Sequence, residues 1–277
     1  MDAFCLPIRA QTDGMTHRHS LHESIRTVQI PKSVFASHYL IGPLPGIDNI
    51  RRVAGQSDQL RYIIGGTTAF MQLNSITEAF FAKSITEFPT VVDWGVGCAR
   101  VMRHFWELVP QIGLGSSCRQ NIIGMDIDRM NVEWCKINMR QGEYTLISQE
   151  GFNLPNESVD FLYGISVMTH LAEYYQFRWL NEIRRVLRPR GCAVLTVHGE
   201  RTYYNNPQSL ALPFAEQFGF FDGIADPALG SDYDRYYRSS YHARKYIMDK
   251  WSNGFDVLDI IPASNAFLQD FVVLRRQ

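Results

Sequence analysis

From Thr90 onward, short apolar runs alternate with longer stretches whose apolar residues recur every three or four positions, the pattern of strands exchanging with amphipathic helices. Strands are expected near 90–94, 122–126, 144–148, 159–165, 192–198, 255–262 and 270–275, and helices near 99–109, 129–141, 173–187 and 242–252. The stretch before the fifth strand illustrates the logic: Phe177, Leu180, Ile183 and Leu187 form one stripe, and the turn at Pro189 and Gly191 stops it, with Gly191 supplying a left-handed residue. The last two strands are joined by a connection too short for a crossover helix, so they must pair antiparallel. The fold class is therefore α/β, a doubly wound seven-stranded and mostly parallel sheet ending in one antiparallel strand. Upstream, 51–84 reads as helical, with Phe70, Leu73, Thr77 and Phe80 on one face and the Gly65-Gly66 pair dividing two helices. Residues 1 to about 30 read as a loose arm.

The most telling segment is VVDWGVGCAR, Val91 to Arg100. Two β-branched residues lead into an acid, and Gly95 and Gly97 then allow left-handed angles and close approach of a ligand. A dinucleotide-binding turn would place a third glycine where Arg100 stands and seat a pyrophosphate on the helix N-terminus. Here Asp93 faces the turn instead, and a carboxylate suits a cationic ligand. The pattern repeats in NIIGMDIDRMNVEWCKIN, Asn121 to Asn138: Asp126 ends a strand, where a carboxylate can accept two hydrogen bonds from adjacent ribose hydroxyls, and Asp128 caps the following helix.

A third block, NLPNESVDFLYGISVMTHL followed by WLNEIRRVLRPRGCAVLTVHG, completes a resemblance to the class I S-adenosylmethionine-dependent methyltransferases, over roughly residues 85 to 277. The nearest likeness is to bacterial small-molecule enzymes. The resemblance implies a Rossmann-like methyltransferase fold, S-adenosylmethionine as cofactor and a small-molecule acceptor, a saccharide or secondary metabolite methylated on oxygen or nitrogen. It further implies that Asp93, Gly95, Val96 and Gly97 face the methionine part of the cofactor, Asp126 the ribose, and Ile127, Glu150 and Gly151 the adenine. Ile165 and Ser166 would line the sulfonium pocket. The chain departs from the family at Ala99, often a third glycine, and at Arg190, usually the first glycine of its turn.

His170 and His198 follow the fourth and fifth strands, at the carboxyl edge where open α/β sheets bind ligands, and are the candidate catalytic bases. His104 reads as a core or surface residue, and His242 as the opening of a helix. Between the fifth strand and that helix, 200–241 is an insertion rich in Tyr and Phe, including Tyr203, Tyr204, Phe214, Tyr233, Tyr236, Tyr237 and Tyr241. Such rings could wall an acceptor pocket, equally form a subunit interface, which leaves a homodimer open, or pack as a plain satellite core. The organisation expected is an N-terminal arm and helical cap over 1–84 and a cofactor-binding domain over 85–277. A catalytically silent cofactor-binding subunit that holds a protein partner is the alternative function.

Composition narrows this further. A net charge of −1 over 277 residues offers no field to attract nucleic acid. The five cysteines have no CxxC spacing, so neither a zinc site nor a disulfide frame is indicated, and His17, His19 and His22 lack the companions of a metal site. No apolar run reaches the roughly 18 residues of a membrane span. A cytoplasmic protein without bound metal is expected.

Overall fold

A computed structural model of the chain describes residues 9–29, 42–107, 120–204, 211–225, 236–262 and 268–277. The elements in chain order are α1 (Arg9–Arg26), α2 (Ile47–Ala54), α3 (Gln59–Phe81), β1 (Thr90–Trp94), α4 (His104–Glu107), β2 (Asn121–Asp126), α5 (Arg129–Asn138), β3 (Glu143–Leu146) and β4 (Val159–Gly164). There follow α6 (Glu173–Val186), β5 (Leu187–Val197), α7 (Glu200–Tyr204), α8 (Ala211–Phe218), β6 (Phe220–Ala225), β7 (Arg238–His242), α9 (Arg244–Lys250), β8 (Phe255–Ile261) and β9 (Asp270–Arg276).

Seven strands form one sheet in the order β3-β2-β1-β4-β5-β9-β8. The first five are parallel, and β9 runs antiparallel to both β5 and β8, as the short terminal connection requires. The strand order reverses between β1 and β4, which places the crevice of a doubly wound sheet at their carboxyl ends. Alternation along β1 shows how both faces are filled: Val91 joins a core with Phe70, Leu73, Val132 and Phe161, while Val92 and Trp94 join one with Trp179, Ile183 and Trp251 on the other side. Asp93 therefore shares the face of Val91.

The helical lead-in divides elsewhere than expected. Gly65 and Gly66 lie inside α3, and the break falls at Gly55, left-handed after α2, followed by the Asp58 N-cap whose side chain accepts from the Leu60 and Arg61 amides. Gly66 serves a close approach: a Cβ there would stand 2.2 Å from the Arg100 carbonyl oxygen. Nor is the N-terminus a loose arm throughout, since α1 docks on β8, where buried Asp259 accepts from His22 Nε2 at 2.7 Å and meets Arg244 Nη2 at 3.2 Å. That contact occupies His22 while His17 and His19 stay exposed.

Three further expectations are corrected. The helix after the glycine turn is only α4, because Ala99 takes a left-handed φ of 55° and residues up to Arg103 form tight turns; 108–109 lie outside the described residues. No turn precedes the fifth strand: β5 runs from Leu187 through Pro189, Arg190 inside it is left-handed at φ 63°, and Gly191 is needed for space, since a Cβ would approach the Arg188 carbonyl oxygen to 2.8 Å. His242 ends β7, with α9 starting two residues later. Among the described residues no helix is long and apolar enough to cross a membrane.

Candidate functional site

The glycine turn is fixed to the end of β2 by main-chain bonds, the Gly95 and Val96 amides both donating to the Met125 carbonyl at 2.7 and 3.0 Å. Gly95 (φ 78°) and Gly97 (φ 53°) both use left-handed angles. The Gly97 amide donates to Asp126 Oδ2 at 2.8 Å, and the Asp128 amide to Asp126 Oδ1 at 2.8 Å. Asp126 thus shapes the turn as well as facing the crevice. Cys98 Sγ donates to Asn131 Oδ1 and Cys135 Sγ to the Gly97 carbonyl, both at 3.3 Å, so two buried thiols hold the turn against α5.

Asp93 is buried, and the Tyr163 hydroxyl on the neighbouring strand donates to its Oδ2 at 2.9 Å. Burial raises its pKa to about 7, a rise that Tyr163 and Arg100 moderate and the Asp126 charge reinforces. Burial likewise lifts Asp126 to about 6, against the opposing amides. Both carboxylates are held in the crevice at a desolvation cost that a nearby positive charge would relieve.

A cavity of about 820 Å³ opens along these strand ends. On one side it is lined by Asp93, Gly95, Val96, Gly97, Asp126 and Ile127. On the other side stand Ile165, Ser166, His170 and His198. A second recess of about 670 Å³ shares Arg52, Ile127 and Asp128 with the first and is bordered by Glu150. Gly151 lines neither; it packs on the Glu182 carboxylate, which a Cβ would meet at 2.4 Å.

The cavity also takes residues that sequence reasoning missed. Helix α2 roofs it with Asp48, Asn49, Arg52 and Val53, Arg52 pairing with the Asp128 carboxylate and Val53 resting on Gly97. Buried Arg100 faces it from beyond the turn, and Gln269 at the head of β9 bonds to the Ser166 hydroxyl. No local motif announces these positions, although 1–84 reads as an arm and helical cap.

On the far side the rings of His170 and His198 lie 6.2 Å apart at 79°. His170 ends a 3-10 turn, Met168–His170, and stacks on Tyr237, centroids 4.8 Å apart and planes 6° off parallel. His198 Nδ1 lies 3.1 Å from the Ser240 carbonyl oxygen, which can only accept, so a hydrogen bond there is donated by Nδ1. The aromatic insertion thus contributes Tyr236 and Tyr237 to the cavity wall. Tyr236 also accepts from Trp179 Nε1 at 2.9 Å, and Phe220 packs on Tyr246, so part of the insertion forms a satellite core. The side chains of Tyr203, Tyr204 and Phe214, and all of Tyr233, lie outside the described residues.

The other candidates are structural. His104 and His242 are fully buried, and burial pushes each down to about 3. Among the described residues no three His, Cys, Asp or Glu side chains converge on a metal position.

Residues 92–195 match the family model described as "Methyltransferase domain". No curated protein sequence matches the chain. Among solved structures it resembles a protein of Pyrococcus horikoshii at 14% identity, covering 82% of this chain and 96% of that one, with a TM-score of 0.53. It is also similar to magnesium protoporphyrin IX methyltransferase from Synechocystis, solved with bound SAH, at 16% identity over 84% of this chain and 94% of that one, TM-score 0.49. A SAM-dependent methyltransferase from Methanosarcina mazei shares 15% identity over 68% of this chain and 92% of its own length, TM-score 0.47. At 14% identity the likeness to the Pyrococcus protein is one of fold alone.

Proposed function

We propose that the chain, whose residues 92–195 match a methyltransferase domain, is a class I S-adenosylmethionine-dependent methyltransferase that methylates an oxygen or nitrogen of a small-molecule acceptor. The observation that carries the reading is the arrangement of the cavity: two carboxylates at adjacent parallel strand ends, across a glycine turn, share one space with two histidines. The residues fit the cofactor. Asp93 and Asp126 are crevice carboxylates whose raised pKa values mark a place where a cation is favoured, and the turn between them carries no side chain at Gly95 or Gly97.

When bound, S-adenosylmethionine supplies a methyl group already activated on a sulfonium sulfur. The work left to the protein is alignment and exclusion of water. Asp126 would hold the ribose hydroxyls, Ile127 and Glu150 the adenine side, and Asp93 with the glycine turn the amino acid end. Ile165 and Ser166 would line the sulfonium pocket. His198, with its lone pair on Nε2, accepts the proton that an acceptor hydroxyl loses as its oxygen gains the methyl carbon, or that an ammonium gives up before its nitrogen attacks. His170 lines the same side as a second base.

Calorimetry with S-adenosylhomocysteine tests the cofactor, and its formation from S-adenosylmethionine on addition of hydroxylated or amino acceptors tests the reaction. Binding together with acceptor-dependent product is the expected result. Absence of binding heat in folded protein refutes the reading.

A further inference from the structure

Strand β7 belongs to the insertion, yet it lies between the two segments that carry the cavity histidines. Toward the 3-10 turn, the Ala172 amide donates to the Tyr236 carbonyl at 3.1 Å, Leu171 bridges to Tyr237, and the buried Ser240 hydroxyl donates to the Leu171 carbonyl. Toward the end of β5, the His242 amide donates to the His198 carbonyl at 2.8 Å, and His198 bridges to Tyr241. Beneath both, Gln176 ties the assembly: its Nε2 donates to the Met168 and Leu171 carbonyls at 3.0 and 2.9 Å, and its Oε1 accepts from His242 Nε2 at 2.8 Å. A buried carbonyl is thereby held at His198 Nδ1, and a flat ring is held against His170.

We infer that β7, together with Tyr237 just before it, positions the histidine pair, the Ser240 carbonyl fixing His198 as its Nδ1–H tautomer and the Tyr237 ring fixing the plane of His170. The inference rests on the proposed transferase only for its purpose; the arrangement itself concerns the protein without ligand. A ring locked in this tautomer presents a proton acceptor on the edge away from β7, and a backbone carbonyl, unlike a side chain, cannot be lost by point substitution. Tyr237 and Ser240 are thus positioning residues, acting through the imidazoles. The insertion is joined to the acceptor side of the cavity by main-chain bonds to both histidine-bearing segments.

The test is nitrogen-15 NMR of the histidine-labelled full chain at pH 8 without ligand, with resonances assigned by His198→Gln and His170→Gln. Expected are an Nδ1–H, Nε2-lone-pair signature for His198 and a ring-shielded His170 whose carbon-bound protons move downfield in Tyr237→Leu but stay in place in Tyr237→Phe. An Nε2–H or averaged signature for His198 in the unsubstituted protein overturns the inference, whatever the variants do. So does a His170 signal indifferent to Tyr237→Leu. S-adenosylhomocysteine calorimetry on the same sample keeps the two readings apart: no heat with the Nδ1–H signature present defeats the cofactor assignment alone, whereas heat with an Nε2–H signature defeats the positioning role alone.

Discussion

The half of the cleft around Asp93, Gly95, Gly97 and Asp126 is built from two short segments at the ends of adjacent strands, whereas the half around His170 and His198 needs the ends of β4 and β5, the head of β9 and a strand from an insertion. The first half stands on main-chain geometry: left-handed glycines, the Met125 carbonyl, and amides aimed at a carboxylate. The second stands on imidazole rings held by a stacked phenol ring and a main-chain carbonyl of the inserted hairpin. Backbone geometry of the first kind leaves little room for variation, while an inserted hairpin can change its rings without disturbing the sheet. A ligand common to many proteins would suit the former, and an acceptor particular to this one the latter.

The contrast can be broken experimentally. The largest effect is expected from His198→Ala, which should lower turnover by about 100-fold, in the range of a lost general base, with S-adenosylhomocysteine affinity changed less than about twofold. Parallel losses in turnover and cofactor affinity would show that the halves are not separable. Asp126→Ala should do the reverse, weakening cofactor binding by about 2 kcal/mol in calorimetry, because a charged acceptor and the anchor of the Gly97 amide go together. An unchanged dissociation constant would remove Asp126 from the site.

Gly66→Ala strains the first half from behind. Overpacking against the Arg100 carbonyl costs about 1–3 kcal/mol, and better helix propensity returns about 1, so thermal unfolding should show a net loss of about 1.5 kcal/mol. No loss would mean that α3 is set off from the turn.

The smallest effect is in pH. With Asp93 at about 7 and Asp126 at about 6, both above the ordinary carboxylate value, the folded protein holds more protons than the unfolded chain between about pH 4 and 7. Their contribution to stability therefore falls as pH rises through that window and is level above it. Affinity for the sulfonium form should instead rise as the carboxylates ionise. The ratio of S-adenosylmethionine to S-adenosylhomocysteine affinity, measured at pH 6 and pH 8, should grow by about fivefold, roughly 1 kcal/mol. A flat ratio would place the carboxylates away from the sulfur.

The misreadings have local causes. Gly65 and Gly66 look like a helix break because glycine usually is one, yet here they let α3 approach the Arg100 backbone, a fact that depends on a residue 34 positions away. Arg190 takes the left-handed angle beside a glycine that could have taken it, because Gly191 is wanted for clearance. The pattern of residues 1–30 lacks a strong apolar stripe, so α1 is legible only once Asp259 is known to meet His22.

The sequence by itself determined the parallel sheet, the terminal antiparallel hairpin, the glycine turn and the placing of two carboxylates and two histidines at the carboxyl edge. Those follow from periodicity and chain length, which act over a few residues. Only the tertiary structure decided that α2 roofs the cleft, that Arg52 reaches Asp128, and that Ser240 and Tyr237 stand on His198 and His170. Such contacts join residues about 40 to 80 apart, whose meeting is fixed by how layers pack and not by any local preference of the chain.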